Sequence, residues 1–288
     1  MARRVFRTAR VLPRSLGSLI LEFRESTEFC GLSRSTRKSY EYAFEMMRPL
    51  HRVAIVSIKR RHVKMLRDRH KRTPSMANLI VATMSRLMSY AIEMEYRESN
   101  PAGNIRKFRG GHYERWPDEA IDYAIANLPE RIVRPILLAL YTGQRQGDVL
   151  KMTWADYDGE GIKVVQQKTG TELWIPCHSV LKAHLDRWKA TRASTHICTS
   201  SNGRPWKPDN FHVAFPKERN RHPELTGLRF HGLRKTAAAK LAEAGCTIHE
   251  IAAITGHTTL AMLALYTAQA EQKTRARAAI VKLEARKR

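Results

Sequence analysis

A histidine and an arginine three residues apart, His231 and Arg234 in the run HGLR, are placed to meet one phosphate. On a helix they stand about 60° apart around the axis, so both reach the same group. Downstream comes Gly256-His257, and nine residues later Tyr266, behind the apolar lead-in LAMLAL. Arg145 lies far upstream. Together these are a kit for attacking a phosphodiester with a tyrosine and no metal.

Each residue also has a plainer reading. Arg145, in the run TGQRQGD, has Asp148 three residues on. The pair is either an ordinary ion pair or a carboxylate orienting a phosphate-binding arginine. Lys168 sits at a hairpin tip, where lysines are usually solvated, although a tip placed over a site can deliver a proton donor. His231 and Arg234 open a helix whose other side, Leu233, Ala237 and Ala244, should pack inward. That is a polar first turn, or a helix N-terminus whose open N–H groups and dipole favour phosphate. His257 follows a helix-ending glycine and reads as surface, and Tyr266 as a half-buried core aromatic.

Charge favours the chemical readings. The 288 residues carry 51 Lys and Arg against 27 Asp and Glu, a net +24. Such a chain calls for a polyanion, and nucleic acid is the commonest. The basic residues are spread along the chain, not gathered on one amphipathic helix, so a membrane surface fits less well. The longest apolar run, 136–141, is far too short to span a bilayer. No hydrophobic segment follows the basic N-terminus, so a secretory signal is not expected. The four cysteines, Cys30, Cys177, Cys198 and Cys246, have no metal-type spacing and suit a reducing interior.

The elements that would position these residues divide in two. The first 110 residues hold 24 basic and 9 acidic side chains, the denser charge expected of a DNA clamp. Apolar periodicity there predicts helices over 16–30, 36–50, 60–69 and 75–94, with Ser33 or Ser35 capping the second. Asn100-Pro101 ends the last pattern. Residues 107–115, with Gly110-Gly111 and a basic character, read as a flexible linker. Beyond it, helices are expected at 117–127, where Pro117 suits a first turn, and at 131–141, stopped by Thr142-Gly143. Alternation predicts strands over 162–166 and 171–175 with Lys168-Thr169-Gly170 turning between them. Helices follow at 180–189, 208–220, 231–244, 247–255, 259–270 and 272–286, with Gly256 as a left-handed cap on Ile248, Ile251 and Ile254.

In order and spacing, TGQRQGD (142–148), Lys168, FHGLRKTAAAKLAEAG (230–245) and IAAITGHTTLAMLALY (251–266) resemble the tyrosine recombinase, or phage integrase, family. The likeness is strong over 142–268 and one of character only over 14–106. It implies a mainly α fold with a small antiparallel sheet. A helical core-binding domain (14–106) would be joined by the linker to a catalytic domain (116–288) ending in a tail helix. By resemblance, Tyr266 attacks a DNA phosphate and forms a 3′-phosphotyrosyl link, freeing a 5′-hydroxyl, without ATP, cofactor or metal. Arg145 and Arg234 would hold the non-bridging oxygens, where planar guanidinium forks match phosphate. His231 would be general base on the tyrosine, His257 a hydrogen-bond donor to the phosphate and Lys168 the acid for the leaving 5′-oxygen. Asp148 would support the arrangement.

The resemblance further implies double-stranded DNA core sites, a homotetramer on DNA with exchanged tails, and accessory DNA-bending or directionality proteins. The setting would be a bacterial or phage-infected cytoplasm, on DNA and not at a membrane. A separate arm-binding domain is not expected within residues 1–13, which read as a disordered basic arm. A type IB topoisomerase-like enzyme and a non-catalytic DNA-binding protein of the same fold are the competing readings.

Overall fold

The computed structural model describes residues 12–111, 113–257, 259, 276–277 and 279–285. Two compact units, Met1–His112 and Tyr113–Arg288, each have their own contacts and core.

The first unit is helical: α1 (Leu16–Glu25), α2 (Thr27–Gly31), α3 (Arg34–Met46), α4 (Arg60–Arg69) and α5 (Pro74–Glu93). The single helix expected over 16–30 is two. Ser26 breaks it with an extended backbone, its hydroxyl donating to the Phe23 carbonyl and accepting from the Phe29 amide. That local competition between serine and the helix ladder is what periodicity overlooks. Helix α3 begins earlier than expected, capped by Ser33 and not Ser35. It also ends sooner, because Pro49 falls in a separate 3-10 turn, Arg48–Leu50. Pro74 opens α5 at a position where a missing N–H costs nothing. Phe23 lies at the centre of the core, its ring 5.2 Å from Tyr90 and 5.7 Å from Phe29.

The second unit carries α6 (Asp118–Asn127), α7 (Glu130–Thr142), α8 (Gln146–Val149), β1 (Gly161–Val165), β2 (Glu172–Pro176), α9 (Ser179–Ala190), α10 (Pro208–Arg219), α11 (Phe230–Glu243) and α12 (Ile248–Thr255). Pro117 caps α6 and does not enter its first turn. Helix α7 passes through Pro135, whose ring takes the place of a donor to the Arg131 carbonyl. The Trp206 indole N–H bonds that carbonyl instead, at 3.2 Å. The strands pair antiparallel, Ile162 opposite Ile175 and Val164 opposite Leu173. Helix α11 is buried around most of its circumference, against α7 and, through Ala238, Ala242 and Ile251, against α12. Ala244, expected to face inward, is exposed, because it lies past the last turn as the C-cap.

The expected linker is tied down towards both ends. The Phe108 amide and carbonyl bond the Asn78 side chain in the first unit. In the second, the Arg115 guanidinium pairs with Glu243. Residues 276–277 and 279–285 are helical and expose Ile280, Val281 and Leu283. The expected helix over 259–270, Tyr266 within it, and nearly all of the arm at 1–13 lie outside the described residues. No helix among the described residues is long and apolar enough to cross a membrane.

Candidate active site

Four separate pieces of the second unit bring Arg145, Lys168, His231, Arg234 and His257 into one neighbourhood. Their placement starts with Gly143. Helix α7 ends there in a left-handed turn, φ +64°, that releases the chain towards Arg145. No side chain fits at that glycine: a Cβ would come within 2.9 Å of Thr255. Arg145 is then the N-cap of α8, its side chain 27% exposed.

Arg234 forms the floor of this neighbourhood. It is 3% exposed, on the buried side of α11, and its Nη1 donates to the Gly143 carbonyl at 2.7 Å. The second arginine thus braces the turn that presents the first. The two differ in accessibility: Arg145 opens to solvent, whereas Arg234 is locked beneath it.

The start of α11 is set by close backbone packing. A Cβ on Gly232 would lie 2.3 Å from the Glu114 carbonyl oxygen and 2.9 Å from the Trp116 ring. The Trp116 amide donates to the Thr236 hydroxyl at 2.8 Å, and the Trp116 indole to the Arg229 carbonyl at 2.9 Å. This clamp positions His231, which lies edge-to-face with Tyr113 at 5.0 Å. No side chain caps the α11 N-terminus, at Arg229, an end that suits an anion.

Helix α12 is delimited at both ends by its sequence. Thr247 and Glu250 form a capping box at its start, and Gly256, φ +67°, closes it in a left-handed turn. His257 follows directly. Its Nδ1 shares a 2.7 Å hydrogen bond with the Thr255 hydroxyl, which itself donates to the Ile251 carbonyl at 2.6 Å.

Lys168 is exposed on the hairpin. The turn is wider than the expected Lys168-Thr169-Gly170: the Gln166 amide bonds the Thr171 carbonyl, and the Gly170 amide the Gln166 carbonyl. Asp148 is buried, yet Arg145 is not its close partner. Their charged atoms stand 4.0 Å apart, while Asp148 accepts the Gln167 backbone N–H at 2.9 Å. The carboxylate therefore anchors the Lys168 turn. What holds Arg145 is Gln166, whose Oε1 accepts from Nη1 at 2.9 Å. Sequence reasoning missed Gln166 and its partner Gln144. The available signal was the alternation Ile162, Val164, Gln166, which puts an amide where the strand turns its apolar side inward.

Electrostatics ties the two imidazoles to the cations around them. The His257 pKa is pushed down to about 4, first by burial and then by the charges of Arg234, Arg145 and His231. Burial also lowers that of His231, followed by Arg234, Lys235, Arg145 and Lys168. Burial first, and the neighbouring cations second, disfavour the charged form of both imidazoles. A crowd of fixed cations is a receptor for an anion, and neutral imidazole can accept a proton.

The profile of the phage integrase family matches residues 117–273, a span that contains all of these side chains. The chain belongs to the phage integrase family. An integrase of Escherichia phage HK022 is 29% identical over 167 residues, covering 54% of this chain and 46% of the relative. The chain thus spans about half the length of the curated relative it matches. Among solved structures, a lambda integrase dimer bound to a COC′ core site superposes with a TM-score of 0.75 at 23% identity. It covers 88% of this chain and 77% of the integrase. The Tn1549 transposon integrase in complex with circular intermediate DNA reaches 0.76 at 16% identity, covering 90% and 99%. These likenesses establish the phage integrase fold over both units, mainly α with one small antiparallel sheet.

Proposed function

We propose that this member of the phage integrase family is a site-specific DNA recombinase that cuts and rejoins strands through a 3′-phosphotyrosyl intermediate. One observation carries the reading: Arg145, Lys168, His231, Arg234 and His257 gather from four chain segments into one cationic site. Tyr266, inside the matched span, supplies the nucleophile.

The chemistry follows from the side chains. A tyrosine ordinarily titrates near pH ~10, so its oxygen attacks only as its proton leaves. His231, kept neutral, takes that proton. Arg145 and Arg234 bind the non-bridging oxygens and stabilise charge as the phosphorus becomes five-coordinate. A bound phosphate's charge returns a proton to His257, whose Nδ1–H then meets the Thr255 hydroxyl and whose Nε2–H donates to the phosphate. Lys168 protonates the departing 5′-oxygen, and Asp148 steadies the turn that carries it. Rejoining is the reverse, with a 5′-hydroxyl from a new strand displacing the phenol, so no external energy source enters. The helical first unit binds double-stranded core sites. Lambda integrase has been solved as a tetramer on a Holliday junction. By the same logic this chain assembles as a tetramer on DNA, within the cell that holds the DNA, and the apolar residues 280, 281 and 283 serve exchange of tails. Accessory DNA-bending or directionality proteins would join this complex.

The test is a nicked suicide duplex taken from the DNA flanking the chain's own gene. A covalent protein–DNA adduct is expected, and Tyr266→Phe should abolish it. An adduct that survives in Tyr266→Phe moves the nucleophile elsewhere. Relaxation of any supercoiled plasmid without site dependence would favour a topoisomerase. Specific binding with no adduct would favour a DNA-binding protein without catalysis.

A further inference from the structure

We propose that Gln166 is a positioning residue whose buried side-chain amide aims Arg145 and ties the Lys168 turn to the His257 turn. The inference rests on the recombinase reading above and deepens it, since neither residue type nor motif assigns Gln166 a part.

The amide is fully used and can point only one way. Gln166 is completely buried. Its Oε1 accepts from Arg145 Nη1 at 2.9 Å and from the Thr169 hydroxyl at 3.0 Å. Its Nε2 donates to Gln144 Oε1 at 2.6 Å and to the Thr255 carbonyl at 2.8 Å. A side-chain amide has two acceptor positions and two donors, and all four are occupied here. Arginine only donates and a carbonyl only accepts, so the oxygen must face Arg145 and the nitrogen must face Thr255. A flip would oppose donor to donor and acceptor to acceptor.

The slot around the amide is closed. A Cβ on Gly256 would lie 2.4 Å from Gln166 Nε2, so the glycine before His257 lets that turn sit directly on the amide. Gln144 extends the network, its own Nε2 donating to the Thr142 and Ile254 carbonyls at 3.0 and 2.9 Å. One pair of glutamines thus joins the end of α7, the end of α12 and the end of β1. Each of these ends leads straight into a reactive side chain: Arg145, His257 and Lys168. Buried networks satisfied at every atom specify one arrangement, and removing one member leaves its partners unsatisfied. Arg145 would keep its charge without Gln166 but lose its aim.

The experiment is single-turnover cleavage by the full chain on nicked duplexes tiled across the DNA flanking its gene. Gln166→Met keeps the length of the side chain and removes its hydrogen bonds. The expected result is adduct formation slowed by about 10- to 100-fold, with duplex affinity within about twofold of wild type. Repeating the substitution in an Arg145→Lys background separates aim from mere structure. If Gln166 acts through Arg145, the second change adds less than about threefold, because the two are coupled. Should each substitution multiply the other's full effect, the positioning role is overturned.

Gln166→Glu covers the case in which Gln166→Met does not fold. A neutral carboxylic acid still donates to the Thr255 carbonyl and accepts from Arg145, whereas a carboxylate repels that carbonyl and neutralises the arginine. Cleavage at neutral pH, where a carboxylate facing Arg145 is ionised, should therefore fall at least about tenfold below wild type, and a wild-type rate overturns the proposal. Wild-type adduct formation with an unchanged Gln166→Met rate sinks this inference alone. Absence of any wild-type adduct on the tiled duplexes sinks the recombinase reading and this one with it.

Discussion

The two units bury different things. Among the described residues the first unit buries only Ser15 and Thr83 besides its apolar and aromatic side chains. The second buries Thr142, Gln144, Asp148, Gln166, Arg219, Arg234, Thr236 and Thr255. Most of that polar set surrounds the turns that present Arg145, Lys168 and His257. The difference teaches where each unit spends its stability. A non-directional apolar core suffices to hold a bundle of helices together. A phosphate-handling site needs side chains fixed in direction, and directed hydrogen bonds inside a low-dielectric interior supply that.

The contrast can be broken most forcefully in the first unit. Phe23 is fully buried among four aromatic rings, and Phe23→Ala should cost about 3–5 kcal/mol in urea unfolding of the full chain. A loss below about 1 kcal/mol would show that packing does not dominate there. A smaller but sharper effect is expected from Gly232→Ala. Its Cβ would meet the Glu114 backbone oxygen, which cannot swing aside, so α11 or the segment before α6 must shift. A stability loss of about 1–3 kcal/mol should come with slower adduct formation, because His231 and Arg234 ride on that helix. Gly110→Ala is the matched control, since a Cβ there meets nothing within 4 Å. It should stay within about 0.5 kcal/mol of wild type.

The smallest effect concerns protons. His257 titrates near 4 in the folded chain, below its ordinary 6.5. Between those values the unfolded chain binds the proton first, so stability falls as pH drops from about 6.5 towards 4. His257→Asn should lessen the fall, by on the order of 1 kcal/mol at pH 5 given the partial exposure of the ring. Thermal midpoints of the DNA-free proteins at pH 7 and pH 5 check this. An identical drop in both would remove His257 from the account.

Much of the scaffold was legible because it depends on neighbours in sequence. Helix α4 occupies the predicted 60–69, and Gly256 caps α12 in the left-handed turn its position implied. The misreadings also have local causes. Ser26 competes for backbone bonds inside an apolar period, and Ala244 continues the pattern of α11 beyond the point where the helix ends. The arrangement around Arg145 was less legible. Its i+3 neighbour Asp148 was the natural partner, but Asp148 turns to the Gln167 amide, and Gln166, 21 positions away, takes the arginine. Strand alternation turns Gln166 inward, but no periodicity names the arginine that it meets there.

The sequence by itself determined the chemistry on offer. The charge of +24 and the order of Arg145, Lys168, His231, Arg234, His257 and Tyr266 are covalent facts, and they bring cations, imidazoles and a phenol into one chain. Only the tertiary structure decided how the described side chains are aimed. It set Arg234 against the Gly143 carbonyl, lowered the pKa of two imidazoles by burial and then by the charges of residues distant in sequence, and made a buried glutamine the support of Arg145. The physical reason is that residue type sets what a group can donate, accept or carry. Direction, desolvation and distance exist only once distant segments are packed together.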